Sequence, residues 1–154
     1  EGERIGSAGL RVAGYRQALE AHGIPYDDAV VVDAGPWHRV NGAEAMEQLL
    51  GRGVPFDAVF GLNDELALGA LRVLRMHDYR VPADVAIIGF DDIDEARYSL
   101  PSLTTVDPGR REIARIAVEV LLGRIERRDT EPRRELRSPF RIVQRESTDA
   151  PVLV

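Results

Sequence analysis

Apolar positions along this chain fall into two patterns that alternate: recurrences at helical spacing and short unbroken runs. Leu10, Ala13, Gly14, Ala18 and Ala21 recur at helical spacing after Ser7, and the pattern stops at Gly23, ahead of Ile24 and Pro25. That spacing predicts a helix closed at both ends. Residues 29–32 form a short β-branched run followed by Asp33, Gly35 and Pro36, which reads as a buried strand and its turn. Val40, Ala43, Met46, Leu49 and Leu50 mark the apolar face of a second helix, ended by Gly51 and Gly53 before Pro55. Residues 57–61 read as another buried strand, and Asn63-Asp64-Glu65 opens a third helix with apolar Leu66, Ala67, Ala70, Leu71 and Leu74.

The same unit returns after Pro82: residues 85–88 are an apolar run too short for a helix, with Gly89-Phe90-Asp91-Asp92 as the turn that follows. Strands alternating with helices of 12 or more residues (predicted from the spacing) imply right-handed crossovers and a parallel sheet covered on both faces. Residues 103–106 read as a further strand. Asp107-Pro108 then supplies a cap and first-turn proline for a long helix with the stripe Ile113, Ile116, Ala117, Val120, Leu121 and Ile125. Residues 134–148 are strand-like and charged, with Pro139 in their middle, so two edge strands and a loose tail are expected there. The fold class is α/β, a parallel sheet flanked by helices.

Composition narrows the chemistry. With 154 residues, 44% hydrophobic and 30% charged, the chain has the makeup of a globular domain able to bury a core. No apolar run is long enough to span a membrane, and the first residues carry no basic stretch leading into an apolar one, so a soluble chain without an export signal is expected. The absence of cysteine excludes disulfides, thiolate metal sites and cysteine nucleophiles. His22, His38 and His77 are too far apart for a helical metal pair, so no metal and no cofactor are expected. A net charge of −6 argues that this chain does not itself grip nucleic acid. All 20 basic residues are arginine, which removes chemistries that depend on a lysine, such as Schiff bases and Walker-type phosphate loops.

In an open parallel sheet, ligands bind beyond the carboxyl ends of the strands, where loops and helix starts converge. That rule selects Asn63-Asp64, Phe90-Asp91-Asp92, Pro36-Trp37-His38, and Ser7 with Arg11 at the start of the first helix. An amide, a carboxylate, a guanidinium and an indole together suit a polyhydroxylated ligand, whose hydroxyls both donate and accept and whose C–H face an indole can cover. Each residue also has an ordinary structural role open to it: Asn63 and Asp64 as helix caps, Asp91 and Asp92 as turn residues, Trp37 as a plug, Arg11 as a solvated charge. No nucleophile elbow is present, and Gly51-Arg52-Gly53 lacks both the third glycine and the context of a dinucleotide loop. The chain is therefore not read as an enzyme.

The order of several motifs resembles a known family. Leu10-Arg11-Val12-Ala13-Gly14-Tyr15, Gly23-Ile24-Pro25, Ala58-Val59-Phe60 with Asn63-Asp64, and Ala67-Leu68-Gly69-Ala70-Leu71 are similar to the effector-binding core of LacI/GalR (lac-repressor-type) transcriptional regulators. So are Val81-Pro82-Ala83-Asp84, Gly89-Phe90-Asp91-Asp92-Ile93, Pro101-Ser102-Leu103-Thr104-Thr105-Val106 and Arg145-Glu146-Ser147-Thr148. The resemblance implies a periplasmic-binding-protein-like (class I) core of two α/β subdomains, of which this chain holds the C-terminal one. Residues 1–106 would form its main part, residues 107–128 a crossover helix belonging to the N-terminal subdomain, and residues 129–154 C-terminal strands and tail. The helix-turn-helix would lie upstream of this chain.

The same resemblance places ligand contacts on Arg11, Trp37, Asn63 and Asp91, with Ser7 as a weaker candidate. It implies a small-molecule effector, a sugar or related polyol, sensed in the cleft between subdomains and coupled to operator DNA through the upstream domain. A cytoplasmic homodimer follows, associating through the helices after Asn41 and Asp64 and residues 96–100. The sequence departs from the family where an aromatic gives way near Arg110 and an acid gives way to Pro36. The alternative is a periplasmic or lipid-anchored sugar-binding protein of a transport system, which a signal peptide upstream would favour. The crossover helix is expected to dock back on its own sheet, swap with a second copy or fray, with swapping or a helix-to-helix contact favoured.

Overall fold

The computed structural model describes residues 6–127 and 135–148. Its strands are β1 (Ala58–Phe60), β2 (Ala86–Phe90), β3 (Thr104–Asp107) and β4 (Arg141–Val143), joined in one sheet in that order. The first three run parallel and β4 is antiparallel to β3. The helices are α1 (Ser7–Ala21), α2 (Arg39–Gly51), α3 (Asp64–Met76), α4 (Asp94–Tyr98) and α5 (Arg110–Arg127). All three histidines stand at helix ends, His22 and His77 closing α1 and α3 and His38 preceding α2.

The core lies between the sheet and the α2–α3 pair. Leu71, Leu74, Val85, Ile87 and Leu103 are almost fully buried, with Met46 and Leu49 of α2 closing the far side. Two glycines bring α2 and α3 to backbone contact: a Cβ on Gly42 would lie 2.2 Å from the Leu66 carbonyl, and one on Gly69 would lie 2.0 Å from that of Arg39. Gly89 does the same for the sheet, since a Cβ there would sit 2.2 Å from the Asp64 carboxylate. Side chains alternate along β2, with Ile87 and Gly89 buried on the α3 side and Ala86, Ile88 and Phe90 half-buried on the other. The sheet is thus mostly parallel and flanked by helices; it is best covered on the α3 side of β2, while in β3 the consecutive Thr104 and Thr105 are both buried.

Residues 29–32 are not a strand. Residues Asp28–Val30 form a 3₁₀ turn in which the Asp27 carboxylate accepts from the Ala29 N–H at 2.8 Å. Arg52 donates to the carbonyls of Ala29 and Val31 at 2.9 and 2.8 Å. Acceptors that a ladder would have used are therefore engaged by a side chain. The remaining boundaries shift by short distances. β2 runs on through Gly89 and Phe90, where a turn was expected, because Phe90 still pairs with Val106. Asp107 belongs to β3, and its carboxylate accepts from Gly109 N at 2.9 Å, so α5 starts at Arg110 and not at a cap on Asp107. One edge strand, β4, replaces the expected two, with Pro139 ahead of it; Arg134 lies outside the described residues. The five-residue α4 was not anticipated.

The final described turn laces the sheet. Ser147 is fully buried and bridges the starts of β2 and β3. Its carbonyl accepts from Ile87 N at 3.0 Å, its N–H donates to Ser102 O at 2.9 Å, and its hydroxyl donates to Ile87 O at 2.6 Å while accepting from Thr104 N at 2.8 Å. In contrast, α5 does not dock back on its own sheet. Ile113, Leu121 and Ile125 are 47%, 58% and 65% exposed.

Candidate ligand-binding site

Sequence-local chemistry builds the site at the carboxyl ends of β1 and β2. Beyond β1, Asn63 caps α3, its Oδ1 accepting from Leu66 N at 2.8 Å. The amide nitrogen of Asn63 donates to the Trp37 carbonyl at 3.1 Å, fixing the loop that carries the indole. Asn63 is buried and both ends of its side chain are engaged. Beyond β2, Asp91 and Asp92 have φ of 115° and 51°. Such backbone is unfavourable for residues with a Cβ and persists only where surrounding bonds hold it.

Those bonds radiate from Asp64, which is fully buried at the first turn of α3. Its carboxylate accepts from the Thr105 hydroxyl at 2.6 Å and from Ile93 N at 2.9 Å. Burial pushes this carboxyl above the ordinary aspartate range, while the Thr105 and Ile93 bonds oppose the rise. Asp92 is held by Arg145, whose guanidinium reaches its carboxylate at 2.5 Å and the Leu103 carbonyl at 2.8 Å. Asp91 N donates to Val106 O at 2.9 Å. The strained turn is tied to α3, β3 and the C-terminal segment at once, and the Asp91 side chain projects from it.

Arg11, from the second turn of α1, meets Asp91 at 3.6 Å. Its guanidinium lies 3.7 Å from the centre of the Phe90 ring and 5.2 Å from that of Trp37, and it donates to the Leu62 carbonyl. The Phe90 ring thus holds the guanidinium by a cation–π contact. Asp91 is a third exposed and paired loosely enough to leave lone pairs available. Partial burial raises its pKa, Arg11 and Arg110 pull it down, and Asp64 adds to the rise. Arg11 therefore brings Trp37 and Asp91 together. Asn63 supports them from beneath. Ser7 sits one turn before Arg11, exposed, with no hydrogen bond to the other four among the described residues.

The strand-end rule selected Phe90 and Asp64 by position without assigning them a ligand contact, and it did not select Thr105 or Arg145. Phe90 ends β2 next to Asp91, and its ring takes the Arg11 guanidinium. The other three act through partners distant in sequence, 53 residues away for Arg145 and Asp92. Chemically the cluster offers an acceptor, a fork of donors and aromatic faces. Among the described residues no cluster of histidine and acidic side chains could hold a metal.

Residues 3–148 match the model of the periplasmic binding protein-like domain. The chain is 35% identical over 141 residues to the HTH-type transcriptional regulator AscG of Escherichia coli, covering 92% of this chain and 41% of AscG. A putative LacI-family transcriptional regulator from Sanguibacter keddieii superposes with a TM-score of 0.89 at 53% identity, over 95% of this chain and 54% of that one. A LacI-family regulator from Enterococcus faecium with bound ribose superposes at 0.79 with 34% identity, over 90% and 50%. The chain thus spans about half the length of the proteins it matches. With its mostly parallel sheet, flanking helices and matched motifs, it belongs to the periplasmic binding protein-like domain family, in the form found in LacI/GalR-type transcriptional regulators.

Proposed function

We propose that this chain is the ligand-sensing domain of a LacI-type transcriptional regulator, and that Arg11, Trp37 and Asp91 bind a sugar or related polyol. Their convergence at the strand ends carries the reading. Asp91 accepts from ligand hydroxyls, Arg11 donates a fork, and Trp37 covers a ring face; Asn63 holds the Trp37 loop and Ser7 borders the cluster. In the matched regulator from Enterococcus faecium the bound molecule is ribose.

The division of labour follows the family. Residues 1–106 supply one wall of the cleft. Residues 107–128 supply the crossover helix to the opposing subdomain, and β4 and the turn at Ser147 complete the sheet. A ligand that touches both walls binds one relative orientation better than others and shifts the equilibrium by that difference. An upstream helix-turn-helix converts the shift into operator affinity. No catalysis is involved, and the setting is the cytoplasm; no described helix is long and apolar enough to cross a membrane.

The regulator acts as a homodimer through α2, α3 and residues 96–100. Tyr98, Leu100 and Met76 are 81%, 75% and 64% exposed there, and Leu100 and Met76 line a groove of about 380 Å³ together with Leu68 and Leu71. Two half-sites on an operator call for such a two-fold partner. Sedimentation of the full-length protein as a monomer at micromolar concentration would contradict this.

Calorimetric titration of the full-length protein with a saccharide panel tests the binding reading. Asp91→Ala should weaken the best-bound saccharide by about 1.5–3 kcal/mol, as for a lost hydrogen bond to a charged group. Unchanged affinity would remove Asp91 from the site.

A further inference from the structure

A second pocket of about 350 Å³ adjoins the Asp91-Asp92 turn. Five arginines line it: Arg97, Arg110, Arg111, Arg141 and Arg145. Three carboxylates, Asp92, Asp94 and Asp107, stand against them, so the lining carries two positive charges in excess on a chain whose net charge is −6. Two of those carboxylates are already engaged. Asp92 accepts from Arg145 at 2.5 Å. Asp107 accepts from Arg141 at 3.1 Å and from Gly109 N at 2.9 Å. Arg110 donates to the Asp92 carbonyl. Arg97 and Arg111 form no ion pair among the described residues.

Guanidiniums gathered around one small volume repel each other unless an anion shares it, and their planar forks match the oxygens of phosphate and carboxylate. The pocket is within the size range of small-ligand sites. It touches the sugar-facing cluster through two shared elements: Asp92 follows Asp91 in the chain, and Arg110 acts on the Asp91 charge as well as lining the pocket. We propose that this pocket is an oxyanion subsite taking the phosphoryl or carboxylate group of an acidic saccharide, whose hydroxyls lie against Asp91. The inference rests on the polyol-binding reading of Asp91 and extends it to the charge class of the effector. Arg110 joins the two halves, standing where the resemblance to the LacI family called for an aromatic.

Inorganic phosphate is the direct probe. Phosphorus NMR of the full-length protein at fixed ionic strength should show saturable binding, weakened at least tenfold by the double substitution Arg97→Gln with Arg111→Gln. Neither side chain belongs to an ion pair of the fold, so far-ultraviolet dichroism should be unaltered. Arg16→Gln with Arg72→Gln, which removes the same charge away from the pocket, should leave phosphate binding as it was. Binding that fails to saturate, or that falls equally in both double variants, overturns the subsite. Competition by glucose 6-phosphate and by glucuronate then assigns phosphoryl or carboxylate according to which displaces phosphate at the lower concentration. Displacement by neither overturns the link to a saccharide. Saccharide binding that depends on Asp91 without any phosphate binding removes the subsite alone. Phosphate binding that depends on Arg97 and Arg111, beside saccharide binding indifferent to Asp91→Ala, removes the polyol reading instead.

Discussion

In α3, Leu66, Ala67, Ala70, Leu71, Val73 and Leu74 are all buried, whereas in α5 the apolar Ile113, Val118, Leu121, Leu122 and Ile125 are 47–65% exposed. Both helices carry apolar residues at helical spacing. The difference lies in what each meets: α3 has α2 on one side and the sheet on the other, while no described element covers α5. Periodicity therefore records that a face is to be buried, and leaves open whether the covering surface belongs to the same stretch of chain. For α5, the proposed reading assigns that stripe to the opposing subdomain of the intact regulator.

Substitutions can break this contrast, and the largest effect belongs to the core. Leu74→Ala, at a fully buried position, should destabilise the 154-residue chain by about 2–5 kcal/mol in urea unfolding, whereas Leu121→Ala should stay within about 0.5 kcal/mol. Equal losses would mean that α5 is covered in solution. Next come the glycines. Gly69→Ala drives a Cβ into the Arg39 carbonyl and should cost about 1–3 kcal/mol. Gly123, in α5, has open space around it, so Gly123→Ala should stabilise by about 0.5–1 kcal/mol through helix propensity alone. A loss at Gly123 would again point to a partner on that helix.

The smallest effects concern protons and separate the site from the surface. Arg80 lowers the Asp84 pKa to about 2, so the stability this pair adds is present above the ordinary aspartate value and disappears as pH falls through about 2. Asp64 and Asp91 move the opposite way. Their raised values mean that the fold binds these protons more tightly than the unfolded chain does, so their contribution favours folding at acid pH and diminishes as pH rises through their folded values. Carboxyl NMR titration should place Asp84 near 2 and both Asp64 and Asp91 above the ordinary aspartate range. An Asp91 below that range would mean that Arg11 outweighs burial.

Helices α1, α2, α3 and α5 and strands β1 to β3 were legible because each is specified by its own residues: an apolar spacing, a cap, a terminating glycine. Residues 29–32 have the same local signature as a strand and fail for want of a ladder, which no local pattern reveals. Asn63 was singled out both as cap and as ligand contact; its side chain turns out to cap α3 and hold the Trp37 loop at once. Asp91 could be selected by the strand-end rule because it directly follows β2, whereas Trp37 was selected beyond a strand that does not form and Arg11 as a residue near the start of α1. The support beneath them could not. Asp64 with Thr105 and Arg145 with Asp92 are paired across 41 and 53 residues, and sequence spacing carries no trace of such pairs.

The lacing by Ser147 sets an order of events during synthesis. Ile87 leaves the ribosome 60 residues before the serine whose hydroxyl it accepts from, and Thr104 leaves 43 before. Until then the edges at the starts of β2 and β3 are open, presenting an unpaired Ile87 carbonyl and Thr104 amide to any passing strand or chaperone. Closure of this subdomain therefore waits for Ser147 and cannot be completed by the strands themselves, and a stop codon just short of Ser147 would leave a product that cannot seal its own sheet.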